Sequence, residues 1–466
     1  MKWRNQILAL LCLTIFIALG VLYFRHWVVQ KPFGIVLFIG EGLTPNRVAA
    51  TRLYAGGANA HLALESLPAF AMLSNYSQNF AVPDEAAAAT TLATGAKVNN
   101  RSLGVGPNDK RLTSIVDLAQ EKGRAIGLVT NGRLTDPTAA AFYATSKGGT
   151  DIAQQLAEEK KIDIIMGGGG SKFLPEAKGG ERIDGRDLVL EMRRNGFEIV
   201  RSKAELESIP RWRRPQLLGL FSDGEMAFGN EIAAGSEQPT LADMTRRAIE
   251  LLQWNAGGYL LIVDAGLMRT AARENHGERT LAETVELDQA IAVARNYAGE
   301  NSTILVTGNF GIGGLSLNGF PFRRDSGVAL LGVNSSGEPA LTWATGPNGV
   351  ETRGALPGSG SEEPTPPADG PASPIGQEPA AVYAPEARNT VDDVLAAGRG
   401  PGTELLHGFL DNTVVFKIIA GGSINDGAVH HPFFTQDLHN GLLSHHLRGQ
   451  ISVYHYHQWR DIFNRF

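Results

Sequence analysis

Five apolar runs constrain this chain more than any other feature. Gly34–Gly40, Arg124–Thr130, Ile162–Met166, Tyr259–Val263 and Ser302–Thr307 each read as a buried strand. Helical patterns lie between them, at Ser114–Lys122, Thr150–Lys160, Thr240–Trp254 and Thr280–Ala298. Strands alternating with helices predict an α/β fold, with a large, mostly parallel sheet and helices on both faces. Ligands in such sheets gather where the strands end. Glu41, Thr130–Thr138, Asp264 and Gly308–Phe310 follow those ends and are the first places to look for chemistry.

Composition narrows the classes. The chain has 466 residues, 43% hydrophobic and 19% charged, enough to bury a large core and too apolar for global disorder. Its formal charge of -6 argues against a nucleic-acid partner, which would call for a basic excess. The single cysteine, Cys12, excludes an internal disulfide and Cys-based zinc knuckles.

Ile7 to Phe24 form an uninterrupted run, ILALLCLTIFIALGVLYF, at the short end of what spans a bilayer core of ~30 Å. A cleaved signal peptide is the competing reading, but Arg25-His26-Trp27-Val28-Val29 is a poor cleavage site. Residues 1–31 are therefore expected to be a membrane anchor, with the span at residues 7–24. Basic residues flank it on both sides, so charge alone does not set its orientation. Cys12 lies inside the span, which leaves the remainder free of cysteine and compatible with an oxidising compartment. The expected location is the inner (cytoplasmic) membrane, with the soluble part periplasmic.

The rest divides by composition into a core over 32–345, a Pro/Gly/Ser/Glu-rich insertion over 346–385, a return to the core over 386–428 and a tail over 429–466. The insertion holds too few large apolar residues to offset its ordering entropy, so a flexible loop is expected. Eight of the 11 histidines lie between His407 and His457. Their spacing, including His445-His446 and His455-x-His457, matches no strong zinc template. An aromatic docking segment is the simpler expectation, with Tyr454, Tyr456, Trp459, Phe463 and Phe466 as anchors for a protein partner. Met166-Gly167-Gly168-Gly169-Gly170 lacks the Lys-Ser/Thr ending of a phosphate loop and reads as a strand-end turn.

Several segments carry a more specific resemblance. IVLFIGEGLTPNRVAATRLYAGG resembles the opening strand and helix of the alkaline phosphatases, and VPDEAAAATTLATGAKVNNRSLGV that family's nucleophile segment. GLVTNGRLTDPTAAAFYATS, DIIMGGGGSKFLP, YLLIVDAGLMR, TVELDQAI, STILVTGN, WATGPNG and ELLHGFLDNTVVF follow in family order. The resemblance implies an alkaline-phosphatase-like three-layer sandwich, commonly dimeric. It also implies phosphomonoester hydrolysis by a serine nucleophile with two zinc ions and a magnesium ion.

Carried over position by position, most of that machinery is altered. Glu85 stands at the nucleophile, within Asp84-Glu85-Ala86. At the first zinc, Arg269 and Arg273 replace an Asp and a His, and Asn389 falls at the distal His. At the second, Glu41 stands at the first-strand Asp and Asn309-Phe310 replaces an Asp-His pair. The phosphate-binding arginine aligns near Gly149, where Lys147 is a poor stand-in because it lacks the bidentate fork. Arginine and phenylalanine cannot ligate zinc, so no zinc is expected. The magnesium position keeps four oxygen donors, Glu41, Asp136, Thr138 and Asp264, a candidate single Mg²⁺ or Ca²⁺ site. Losing two dications while keeping carboxylates favours compensating cations, so Glu85 is expected to pair with Arg269 or Arg273.

The reading that follows is a membrane-anchored pseudoenzyme acting as a structural or binding subunit. The alternatives are a phosphoester hydrolase with a reorganised site, using Glu85, Thr44 or an activated water, and an anion sensor without turnover.

Overall fold

The computed structural model describes residues 2–23, 33–146, 151–158, 162–318, 339–349 and 378–424. A helix runs from Lys2 to Tyr23, and its described side chains, Trp3 to Val21, are all exposed. It is the one helix among the described residues long and apolar enough to cross a membrane.

The strands of the main sheet are β1 (Gly34–Gly40), β2 (Ala69–Ser74), β3 (Ala125–Arg133), β4 (Ile164–Gly168), β5 (Phe197–Val200), β6 (Gln216–Leu220), β7 (Tyr259–Ala265) and β8 (Thr303–Gly308). Four short strands follow, β9 (Gly311–Ile312), β10 (Ser316–Leu317), β11 (Leu341–Gly346) and β12 (Ala380–Tyr383), then β13 (Asn389–Thr390), β14 (Val394–Arg399) and β15 (Phe409–Asp411). The main sheet has ten strands in the order β15-β2-β14-β8-β1-β7-β3-β4-β6-β5. All pairings are parallel except those of β14, which runs against both β8 and β2. The predicted strands are thus present, β1 with the expected bounds and the others with ends shifted by at most three residues.

Strand β1 shows why both faces are covered. Ile35, Leu37 and Ile39 join one apolar core, and Val36 and Phe38 the other, all fully buried. The first core is closed by helices that include Glu85–Thr94, Ile115–Glu121 and Val414–Ile424. The second is closed by Leu241–Leu252 and Gly277–Tyr297. Burying a large apolar side chain is worth roughly 1.5–3 kcal/mol, so a strand buried on both faces is a strong organising element. Three layers result.

The two ends of the predicted insertion belong to the fold. Within 346–349 and 378–385, strand β12 pairs parallel with β11, which pairs antiparallel with β10. Residues 350–377 lie outside the described residues, as do Lys147, Gly149 and the tail from 425 onward. The chain divides into a unit ending at Ile424 and a second over Asn425–Phe466. The glycine run behaves as a turn: Gly169 takes φ 90 after β4, and a short 3-10 helix begins at Gly170.

Candidate functional site

The carboxyl ends of β1, β3, β7 and β8 converge. Strand β1 delivers Glu41, β7 carries Asp264 as its penultimate residue, β8 leads into Asn309, and β3 leads to Asp136 and Thr138. Register holds them level, since Ile39 pairs with both Asp264 and Thr307. Glu85 enters from the first turn of the helix Glu85–Thr94, which Asp84 caps by accepting a hydrogen bond from Ala87 N. Arg269 and Arg273 lie one helical turn apart on the helix Leu267–Arg273, directly after β7.

Arg269 sits in a cage of four carboxylates. Its Nη1 lies 3.4 Å from Glu41 Oε2 and 3.2 Å from Glu85 Oε2, and its Nη2 lies 2.7 Å from Asp136 Oδ2 and 3.4 Å from Glu225 Oε1. Burial works against the charge, but Glu41, Asp136 and Glu85 outweigh it and hold the guanidinium firmly protonated. Arg273 places Nη2 2.5 Å from the other oxygen of Glu85, and its Nη1 lies 3.4 Å from Glu386 Oε2. Glu85 therefore bridges the two arginines. Arg273 also donates to Asn389 Oδ1 at 3.4 Å. Strand β13 brings Asn389 there by pairing with β9, and Asn389 Nδ2 donates to Pro83 O at 3.0 Å.

Beneath this cage lies a drier layer. Glu41 and Asp264 are fully buried. Asp264 Oδ2 accepts from the Thr130 hydroxyl at 2.8 Å, Glu41 Oε2 faces the Arg269 guanidinium at 3.4 Å, and Asp264 Oδ1 and Glu41 Oε1 have no well-aligned donor among the described residues. Burial pushes Asp264 up to about 7, with Asp136 adding to the rise and Thr130 and Arg269 opposing it. Burial pushes Glu41 well above the usual carboxylate range, against Arg269 and with Asp264 and Glu85. Asn309 Nδ2 donates to Thr138 Oγ1 at 3.3 Å, and its Oδ1 accepts from Phe310 N at 2.9 Å. Phe310 itself is fully buried, packed with Ala50, Ala272, Leu281 and Ile312.

The cage opens onto a cleft of ≈ 550 Å³. Glu85, Asp136, Glu225, Glu274 and Glu386 line it against Arg269 and Arg273, so five acids face two cations. Glu225, Glu274 and Glu386 were not among the sequence candidates. Glu225 follows β6, and the rule that chemistry sits at strand ends would have found it had QLLGL been read as a strand. Arg47 was also missed. Buried at the start of the helix Pro45–Gly56, it donates to Glu41 O, Gly42 O, Met268 O and Thr280 O and so ties the end of β1 to two helices. Thr44, offered as a nucleophile, instead caps that helix by accepting from Arg47 N.

Metal fit follows from the donors. Arg269, Arg273 and Phe310 present no lone pair to zinc, and among the described residues no three His, Cys, Asp or Glu side chains are placed to hold a metal ion. Two zinc ions do not fit this donor set. For a single hard cation, Glu41, Asp264 and Thr138 offer oxygens, of which Glu41 Oε1 and Asp264 Oδ1 have no well-aligned donor among the described residues and Glu41 Oε2 lies beside Arg269. Asp136 is committed to Arg269 instead.

Sheet order, layers and cleft together define an α/β protein whose site lies at the carboxyl edge of a mostly parallel sheet. A family model for alkaline phosphatase matches residues 34–422. The chain belongs to the alkaline phosphatase family. It is 30% identical over 432 residues to the tissue-nonspecific alkaline phosphatase of Gallus gallus, covering 80% of this chain and 81% of that one. It is 32% identical over 250 residues to alkaline phosphatase 4 of Bacillus subtilis, covering 50% and 51%. Among solved structures, the alkaline phosphatase of the Antarctic bacterium TAB5 matches with TM-score 0.63 at 20% identity, over 85% of this chain and 99% of that one. The Thermus thermophilus enzyme matches with TM-score 0.64 at 22% identity, over 84% and 91%. These two establish the fold.

Proposed function

We propose that the chain is a membrane-anchored member of this family without phosphatase turnover, serving as a structural or binding subunit. One observation carries the reading: Glu85, at the family's serine position, is held between Arg269 and Arg273, which stand where zinc donors are expected. A serine attacks phosphorus once a metal or base activates it, and dications neutralise the phosphoryl oxygens. Here a carboxylate occupies the attacking position and five acids face the cleft, an arrangement that repels a phosphate dianion. The test is release of p-nitrophenol from p-nitrophenyl phosphate across pH with added zinc and magnesium. The expected result is no turnover above buffer. Brisk hydrolysis that vanishes in Glu41→Ala would instead establish a metal-dependent hydrolase.

A second reading of the deeper layer has its own support. Glu41 Oε1 and Asp264 Oδ1, buried without a well-aligned donor among the described residues, suit one oxygen-ligated cation, Mg²⁺ or Ca²⁺, with the Thr138 hydroxyl. A solved relative, a variant of the TAB5 enzyme, is described with magnesium bound in its M3 site. Such an ion would supply positive charge to the pair; without it, a proton on the pair does the same. Metal content of the purified protein, measured by mass spectrometry, separates the two.

The span Trp3–Val21 is read as a retained anchor in the inner membrane, with the α/β domain on the periplasmic side. The Bombyx mori relative, 29% identical over 381 residues, is named as membrane-bound. The tail beyond residue 429 is proposed to engage a protein partner. Deleting 430–466 should leave the core folded and release that partner in co-purification.

A further inference from the structure

The site occupies one edge of the sheet; the opposite edge carries charge of the other sign. The helix ends and loops leading into β3, β5 and β6 present Lys122, Arg193, Arg194, Arg211, Arg213 and Arg214, all exposed. The exposed acids at the start of the same strands and of β8 are fewer, Glu121, Glu207 and Glu300, with Glu198 and, before β4, Asp163 partly covered. In a chain whose formal charge is -6, this edge is locally cationic. Its most prominent feature is Arg211-Trp212-Arg213-Arg214, where Trp212 is 71% exposed. The segment is not loose. Trp254 Nε1 donates to Arg211 O at 2.5 Å, Arg211 lies 3.5 Å from Glu250, and Arg213 pairs with Glu198. Trp254 is itself 47% exposed beside it.

Chain connectivity limits how far this edge can lie from the anchor. Strand β1 starts at the same edge as β6, because every pairing between them is parallel. Four strand spacings separate the two, about 19 Å. The membrane-spanning helix ends at Tyr23, and ten peptide steps at ~3.5 Å each let Phe33 stand no more than about 35 Å away. A tether of that length keeps the start of β1, and the basic edge about 19 Å from it, within reach of the bilayer.

We propose that this edge is a membrane-docking surface, with Arg211, Arg213 and Arg214 contacting anionic lipid headgroups and Trp212 seated at the interface. Arginine pairs phosphate through a bidentate fork, and tryptophan favours the headgroup level, where one side is apolar and the other wet. The inference rests on the anchored reading of Trp3–Val21. Docking would turn the carboxyl-edge cleft away from the bilayer.

The test uses the full chain in lipid nanodiscs with brominated acyl chains, made of phosphatidylglycerol or of phosphatidylcholine. Quenching of Trp212 is read as the difference between the parent and Trp212→Phe, which removes the contribution of the other tryptophans. Quenching is expected in phosphatidylglycerol and weak in phosphatidylcholine. Each arginine changed to glutamine at 211, 213 or 214 should lower the docked-to-undocked ratio about fivefold. Should the triple variant fail to fold, about 0.5 M NaCl, where the Debye length is ~4 Å, should release Trp212 in the parent. Equal quenching in both lipids, or quenching indifferent to salt and to the arginines, overturns the docking surface. Extraction of the parent from membranes by alkaline carbonate would sink the anchor alone. Trp212 quenching by brominated phosphatidylglycerol vesicles would then still decide the surface.

Discussion

A guanidinium with four carboxylate neighbours answers to substitution differently from one at the rim. Arg269→Ala would leave Glu41 buried beside Asp264 with its cation gone, a loss on the order of 3–5 kcal/mol. Arg273, whose side chain is 26% exposed, pairs in wetter surroundings, and Arg273→Ala should cost about 1 kcal/mol or less. Urea midpoints of the two variants test the difference, and equal losses would contradict the caged geometry. A second residue gives a pH signature. Burial pushes Glu283 up to about 7, although Gly229 N donates to it at 2.7 Å. The folded protein therefore holds this proton more tightly than the unfolded chain does. The stability it contributes is complete below the ordinary value of 4.5 and is lost as pH rises through about 7. Glu283→Gln should flatten that decline in thermal melts taken from about pH 5 to 8. Its midpoint should also drop, because Gly229 N and Asn131 Nδ2 donate to different oxygens of Glu283 and an amide keeps only one of them.

Among elements, the helix Gly277–Tyr297 shows how the far side of the insertion is tied down. Glu378 Oε2 accepts from Gly277 N at 2.6 Å, placing a carboxylate at the helix N-terminus. A Cβ on Gly277 would lie 2.4 Å from that carboxylate, so glycine permits the approach. Glu378→Ala is expected to cost ~1–2 kcal/mol and to speed amide exchange over 378–387, measured by mass spectrometry. The same region marks where sequence reading stopped. Strands β1 and β7 are legible because both faces are buried and their apolar runs are unbroken. Strand β2, Ala69–Ser74, buries only Ala71 and Leu73, and β14, Val394–Arg399, is built largely of small residues, so neither announces itself. Of the site, Glu41, Asp264, Glu85 and both arginines were legible by position after a strand or by family resemblance. Asp136 was read as an oxygen donor for a metal, and the structure commits it to Arg269. The sequence carries no sign of that choice, because it depends on two loops meeting in space.

For the molecule as a whole, the cage makes the cleft's charge balance internal. A chelator should therefore leave the thermal midpoint unchanged, whereas a midpoint climbing with magnesium concentration would reveal an occupied oxygen site. Topology has a further consequence, for how the chain is made. Strand β2 reaches the main sheet through β14, which emerges from the ribosome roughly 320 residues later, about 16–64 s at ~5–20 residues per second. Throughout that interval a nascent segment with Phe70 at its start has no strand beside it except β15, which is translated later still. Chains cut short before residue 394 would keep that orphaned edge for good, a natural handle for chaperones and proteases.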